Sequence, residues 1–228
     1  MSKGVLGFGC SYTWAEGLYY YSDTHDVSEL LNEHHHFDGH KIRLPHILYK
    51  NKKSYINIIA EYYDTWSYVG GGNGGDNIFS FKQKINSLFS EERDSFVPND
   101  FKLIIFQFTH LQRNPNYSVQ EQIGYVDYFL SQWEELGIKC VSISWPPEIP
   151  MCDEYMDKFN DRHVPIFYNN IEYNDFETIT HLKNNDITIE SDFREKGLQK
   201  NDWHFNLKGH EMIADSIIKK LEKDNFKL

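Results

Sequence analysis

Val5-Leu6-Gly7-Phe8-Gly9-Cys10-Ser11-Tyr12-Thr13 reads as a short apolar strand running into a tight turn, with a serine at the bend and a helix expected behind it. A strand-to-helix turn lifts one side chain clear of the carboxyl edge of a sheet. It also leaves backbone N–H groups aimed at whatever lies above that side chain. A raised hydroxyl beside free donors is half of an acyl-transfer site, and the other half is a base. The chain offers one near its far end, in Asp202-Trp203-His204-Phe205-Asn206-Leu207-Lys208-Gly209-His210, just before a helix-like stretch.

Moving outward from that first strand, Ile56, Ile59, Ala60 and Tyr63 recur at helical spacing between Ser54 and Tyr63. Trp66 to Val69 is a short strand candidate that stops at Gly70-Gly71-Gly72-Asn73-Gly74-Gly75. This glycine run lacks the Lys-Ser/Thr ending of a P-loop, which argues against phosphate cradling. A helix is expected to follow at once, capped by Asp76 and striped by Ile78, Phe81, Ile85 and Leu88. Lys102 to Phe108 is apolar on both faces, as a buried parallel strand should be. Ser118 and Glu121 form a capping box ahead of Val119, Ile123, Val126, Leu130 and Trp133, and Gly137 ends that helix. Ile138 to Ser144 reads as a further strand closed by Pro146-Pro147. The last helix is expected from about Leu207, with Ile213, Ile217 and Leu221 on one face.

Strands alternating with helices of ten or more residues imply right-handed crossovers and a parallel sheet. The expected fold is α/β: a three-layer α/β/α sandwich on a parallel sheet of about five strands. The 228 residues suit one domain, 1–228, with an irregular insertion at about 19–45. Residues 150 to 200 are polar with scattered aromatics and read only as short helices and loops.

A net charge of −11 argues against nucleic acid or an anionic membrane as the main partner, since both would repel the chain. No apolar run reaches the length of a membrane span, and the N-terminus lacks a signal-peptide pattern. Cys10, Cys140 and Cys152 form no CxxC and cannot all pair, so a reduced, cytoplasmic setting is expected. A product released by cell lysis, such as a phage protein, would share these features. His34, His35, His36 and His40 lie in the insertion without known metal-ligand spacing, and a solvated loop is the expected reading. No metal and no cofactor is expected.

The two ends together carry a resemblance. Gly9-Cys10-Ser11-Tyr12-Thr13 resembles the first block of the SGNH (GDSL-like) hydrolases, in a variant where cysteine replaces the usual aspartate. Asp202-Trp203-His204-Phe205-Asn206 resembles their last block, and Gly74-Gly75-Asp76-Asn77 their second, whose glycine N–H lines the oxyanion hole. The resemblance spans nearly the whole chain and implies the α/β/α fold with a flavodoxin-like sheet, a serine nucleophile at Ser11, and His204 with Asp202 as base and orienting acid. One departure stands out. The third block ends a strand with Gly-x-Asn-Asp, and here Thr109 falls at the Asn position.

In chemical terms, His204 would take the Ser11 proton, and Asp202 would fix the imidazole tautomer and stabilise the imidazolium. Many family members carry the acid three residues before the histidine, which here is Asn201. The oxyanion would meet the N–H groups of Ser11 and Gly75, with a third donor from the Thr109 hydroxyl or from Asn73 or Asn77. His210 is expected to pack or to face solvent, Cys10 to pack, and His110 and Arg113 to contact an acidic substrate or lie in a solvated loop. The expected activity is cleavage of an ester or O-acyl group, a carbohydrate O-acetyl group included. The alternative from another class is a non-catalytic SGNH-like module, such as a glycan-binding virion or surface protein, for which 16 Phe, 15 Tyr and 5 Trp leave stacking surfaces to spare.

Overall fold

The computed structural model describes residues 3–9, 13, 15, 18–21, 51–69, 97–109, 116–197 and 202–227. The first strand, β1 (Gly4–Phe8), is buried along its whole length. It has a parallel neighbour on each side: β2 (Ser67–Val69), with Leu6 opposite Tyr68, and β3 (Phe101–Phe108), with Leu6 opposite Ile104. β4 (Lys139–Ser144) continues the sheet beyond β3, with Ile105 opposite Val141, and gives the order β2-β1-β3-β4.

Beyond β4 the fifth place is held by one parallel bridge between Ser142 and His163. There the Ser142 N–H donates to the Arg162 carbonyl, and the Val164 N–H donates to the Ser142 carbonyl, both at 2.8 Å. The Arg162 side chain clamps this edge. It donates to Glu134 through Nε and Nη2 and to Asp127 through Nη1 at 2.6 Å. The expected sheet of about five strands is thus four strands and a bridge among the described residues, because the chain leaves the edge after Val164.

It leaves into an antiparallel hairpin, β5 (Ile166–Tyr168) and β6 (Ile171–Tyr173). Its two loop residues, Asn169 and Asn170, have φ of 50° and 64°, the pattern of a type I′ turn, which Asn tolerates better than most residues.

Side chains alternate between two apolar layers, as the pleat of a strand requires. Val5, Leu103, Ile105, Val141 and Ile143 face α1 (Tyr55–Tyr62) and α6 (Leu207–Lys223). Leu6, Phe8, Ile104, Phe106, Phe108 and Cys140 face α2 (Val119–Glu135) and α3 (Asp153–Phe159). The fold is therefore a three-layer α/β/α sandwich on a parallel sheet.

The helices begin at local caps. The Ser54 hydroxyl accepts from the Asn57 N–H, the Ser118–Glu121 capping box forms as the sequence predicts, and Asn206 accepts from the Gly209 N–H at 2.9 Å. Between β6 and α6 lie two short helices, α4 (Phe176–Thr180) and α5 (Ile189–Glu195), capped by Asp175 and Thr188. The expected helix behind Ser11, the glycine run, the helix after Asp76 and most of the 19–45 insertion lie outside the described residues.

Order β2-β1-β3-β4 reverses the direction of winding between β1 and β3, so the crevice beyond their carboxyl ends is where an open α/β sheet binds ligands. Gly9 and Thr13 follow β1 there, and Thr109 follows β3.

Two glycine substitutions test the packing in opposite directions. A Cβ at Gly209 would stand 2.4 Å from the Ile187 carbonyl oxygen, so Gly209→Ala should destabilise by about 1–3 kcal/mol despite its helical position. A Cβ at Gly124 in α2 meets nothing nearer than the Lys158 ammonium at 3.8 Å. Gly124→Ala should therefore stabilise by about 0.5–1 kcal/mol, the ordinary helix-propensity gain. Denaturant midpoints of the two variants measure both effects.

Candidate active site

Thr13 approaches the end of β1 closely. A Cβ at Gly9 would lie 2.0 Å from the Thr13 hydroxyl and 2.8 Å from Cβ of Gln107, so only glycine lets Thr13 fold back over the strand end. The buried Thr13 hydroxyl donates to Oε1 of Gln107 in β3 and accepts from the Tyr55 hydroxyl at 3.0 Å. Thr109, the residue after β3, is 7 % exposed and so sits at the strand end with little open surface.

The second half of the site is the segment 202–206. Nδ1 of His204 lies 2.7 Å from Oδ1 of Asp202, and the His204 backbone N–H donates to the same oxygen at 3.1 Å. With the carboxylate as acceptor, Nδ1 carries the proton and Nε2 presents its lone pair, the tautomer a general base requires. Both side chains are mostly covered, at 23 % and 15 % exposure, which keeps their interaction from being fully screened by water.

The backbone of this segment is stitched to the start of α5. Ile189 N–H donates to the His204 carbonyl at 2.9 Å and Glu190 N–H to the Asp202 carbonyl at 2.8 Å, beside a bridge between Thr188 and Phe205. Asn206, the cap of α6, also donates through Nδ2 to the Asp186 carbonyl and to Asp192. The Phe205 ring packs at 6.1 Å from Trp145, the residue after β4. That contact sets the segment over the carboxyl ends of the strands.

Asp202 is thus the carboxylate against His204; Asn201 lies outside the described residues. So do Ser11, Gly75, Asn77 and Asn73, the histidines at 34–36 and 40, Cys10, His110 and Arg113. Among the described residues no group of three or more His, Cys, Asp or Glu side chains is arranged to hold a metal ion. No helix among them is long and apolar enough to cross a membrane.

His210 resolves to packing rather than solvent. It is 1 % exposed, its ring stacks on Tyr55 at 5.7 Å with Phe205 edge-on at 5.9 Å, and Nδ1 accepts from the Tyr55 backbone N–H at 3.2 Å. Burial, aided by the nearby His204, pushes its pKa down to about 3. The ring is therefore neutral with its proton on Nε2, and this buried N–H has no hydrogen-bond partner among the described residues. The sequence carried no sign of this role, since a histidine on the first turns of a helix fits either face.

No family model matches the chain, and no curated protein matches it. Among solved structures it is similar to the psychrotrophic esterase EstA from Pseudoalteromonas sp., in a crystal structure described as inhibited by monoethylphosphonate. The TM-score is 0.50 at 11 % identity, over 97 % of this chain and 98 % of that one. At such low identity the likeness shows a shared fold. That fold is the three-layer α/β/α arrangement on a parallel sheet that the sequence leads one to expect.

His210 generates a pH prediction. The unfolded chain protonates this histidine below its ordinary value of about 6.5, whereas the folded chain does so only near 3. The unfolded state therefore binds the extra proton between these values, and stability falls as pH is lowered through that window. The slope approaches about 1.4 kcal/mol per pH unit from this group alone. His163, whose pKa burial also lowers, adds in the same direction. His210→Gln should flatten the dependence between pH 6 and 4, read from urea midpoints at each pH; an unchanged slope counts against a neutral buried His210.

Proposed function

We propose that the chain is a serine hydrolase that cleaves carboxylic esters or O-acyl groups through an acyl-enzyme. The observation that carries this reading is the hydrogen bond between Asp202 and Nδ1 of His204 over the carboxyl edge of the sheet. In the sequence Ser11 lies between Gly9, which follows β1, and Thr13. The esterase that shares the fold adds support at the level of reaction class.

In the proposed reaction the Ser11 hydroxyl attacks the acyl carbon while His204 Nε2 takes its proton, and Asp202 stabilises the resulting imidazolium. The N–H groups of Ser11 and Gly75 meet the oxyanion, with the Thr109 hydroxyl or Asn77 as a third donor. Collapse expels the alcohol, which recovers the proton from His204. Water, deprotonated by the same histidine, then cleaves the Ser11 ester and releases the acid. The substrate class is a small-molecule or carbohydrate acyl ester, and no step calls for a cofactor. A single 1–228 domain is part of the same proposal.

Thr109 favours a second reading, a non-catalytic module of this fold, because a β-branched hydroxyl stands where the family places an amide donor. Trp203, 45 % exposed beside the His204 pair, would then serve glycan stacking.

Incubation with a short-chain aryl ester and with a fluorophosphonate probe separates the two. Labelling and turnover that vanish in Ser11→Ala, with little change in Tm, are the expected result; an unlabelled, inactive wild type supports the binding module. Asp202→Asn keeps the shape but loses the charge, and should lower kcat by about 10³–10⁴-fold. If the Thr109 hydroxyl is an inferior donor, Thr109→Asn should raise kcat by up to about 10²-fold with KM little changed, whereas Thr109→Val should lower it. Steady-state kinetics on the same aryl ester read all three.

A further inference from the structure

We propose that Tyr55 is a positioning residue that ties the nucleophile end of the chain to the base end, an inference that rests on the serine-hydrolase reading above. Tyr55 is the first residue of α1, where a helix leaves its N–H groups without internal partners. That N–H donates to His210 Nδ1, and the ring stacks on the His210 ring. At the far end of the same side chain the hydroxyl donates to Thr13, whose own hydroxyl donates to Gln107. The result is a continuous polar chain from α6 through α1 and the turn after β1 to the central strand β3.

Each link joins segments remote in sequence, with separations of 155, 42 and 94 residues. Thr13 lies two residues from Ser11, so their Cα atoms are within about 7 Å whatever the path between them. His210 lies six residues from His204, across the Asn206 cap that anchors the start of α6.

Packing alone does not account for the residue types. Tyr55, Thr13 and Gln107 have no exposed surface, and His210 leaves a buried Nε2–H unpaired among the described residues. Leucine, valine or phenylalanine would fill the same space without desolvating polar atoms. What hydrogen bonds add is a fixed direction and length, and a fully buried chain of them admits one arrangement of its members. A nucleophile and a base held on opposite ends of the sequence need that restriction, because a displacement of about 1 Å lowers turnover by about 10²-fold.

The test uses full-length Tyr55→Phe, Thr13→Val and Thr13→Ser, with kcat and KM for aryl-ester hydrolysis and the rate of fluorophosphonate inactivation. Tyr55→Phe keeps the ring and the backbone N–H; Thr13→Val keeps the shape of threonine. Each should lower kcat and inactivation rate by about 10–100-fold while KM stays within about twofold. The double variant should be no slower than the slower single, since both break the Tyr55–Thr13 bond, which Thr13→Val loses together with the bond to Gln107. Thr13→Ser restores the hydroxyl and should recover kcat to within about threefold of wild type, a rescue that generic loss of core packing would not give. Wild-type kcat in both Tyr55→Phe and Thr13→Val, or additive losses without rescue by serine, overturns the tether alone. A wild-type protein with no ester hydrolysis and no labelling overturns the hydrolase reading and the tether together.

Discussion

β1 has parallel neighbours on both sides, and most of the architecture follows from that arrangement. Parallel strands cannot be joined by tight turns, so each connection must cross a face of the sheet. The crossover from β1 to β2 carries α1 and covers one face; the crossover from β3 to β4 carries α2 and covers the other. Both faces of the strands then meet apolar side chains, which is why Phe101–Phe108 is almost unbroken hydrophobic sequence. The same winding reverses between β1 and β3 and opens a crevice at their carboxyl ends. The location of the candidate site is thus a consequence of sheet order before any catalytic side chain is considered.

Within that crevice the side chains are held by backbone more than by charge. Asp202 and His204 occupy a segment whose carbonyls accept from the first N–H groups of α5, so the end of one element serves as a template for the next. The Asp202 carboxylate accepts both the backbone and ring N–H of His204, a doubled contact that removes rotational freedom from the imidazole. At the carboxyl end of β1, Gly9 permits a contact with Thr13 that any other residue would block. The likeness to an esterase over 97 % of the chain at 11 % identity agrees with this division. A fold persists at that distance, while chemistry rests on a few side chains that fold alone does not specify.

Much of the sheet and its long helices was legible because their signals are local. A run of buried strand residues and a Ser118–Glu121 capping box state their meaning within a few positions, and each element formed within a residue or two of expectation. Residues 150–200 were not legible for the complementary reason. Their helices are five to seven residues long, too short to be stable through their own hydrogen bonds, and their hairpin strands have three residues each. Such elements exist because α6 and the sheet edge give them something to pack on. A signal for the hairpin is present in Asn169-Asn170, a pair that accepts positive φ, but the flanking strands are too brief to show an alternating pattern.

The sequence by itself determined the alternation of strand and helix, the blocks at the two ends of the chain, and the candidate pair His204 and Asp202. These rest on residue type and spacing, which covalent order preserves. Only the tertiary structure decided that Asp202 reaches the His204 ring and that the fifth strand position shrinks to one bridge. It also decided that His210 turns inward against Tyr55 rather than outward to water. Each of these depends on which distant segment fills the space beside a side chain. Burial, and with it the low pKa of His210, is a property of those neighbours rather than of the residue.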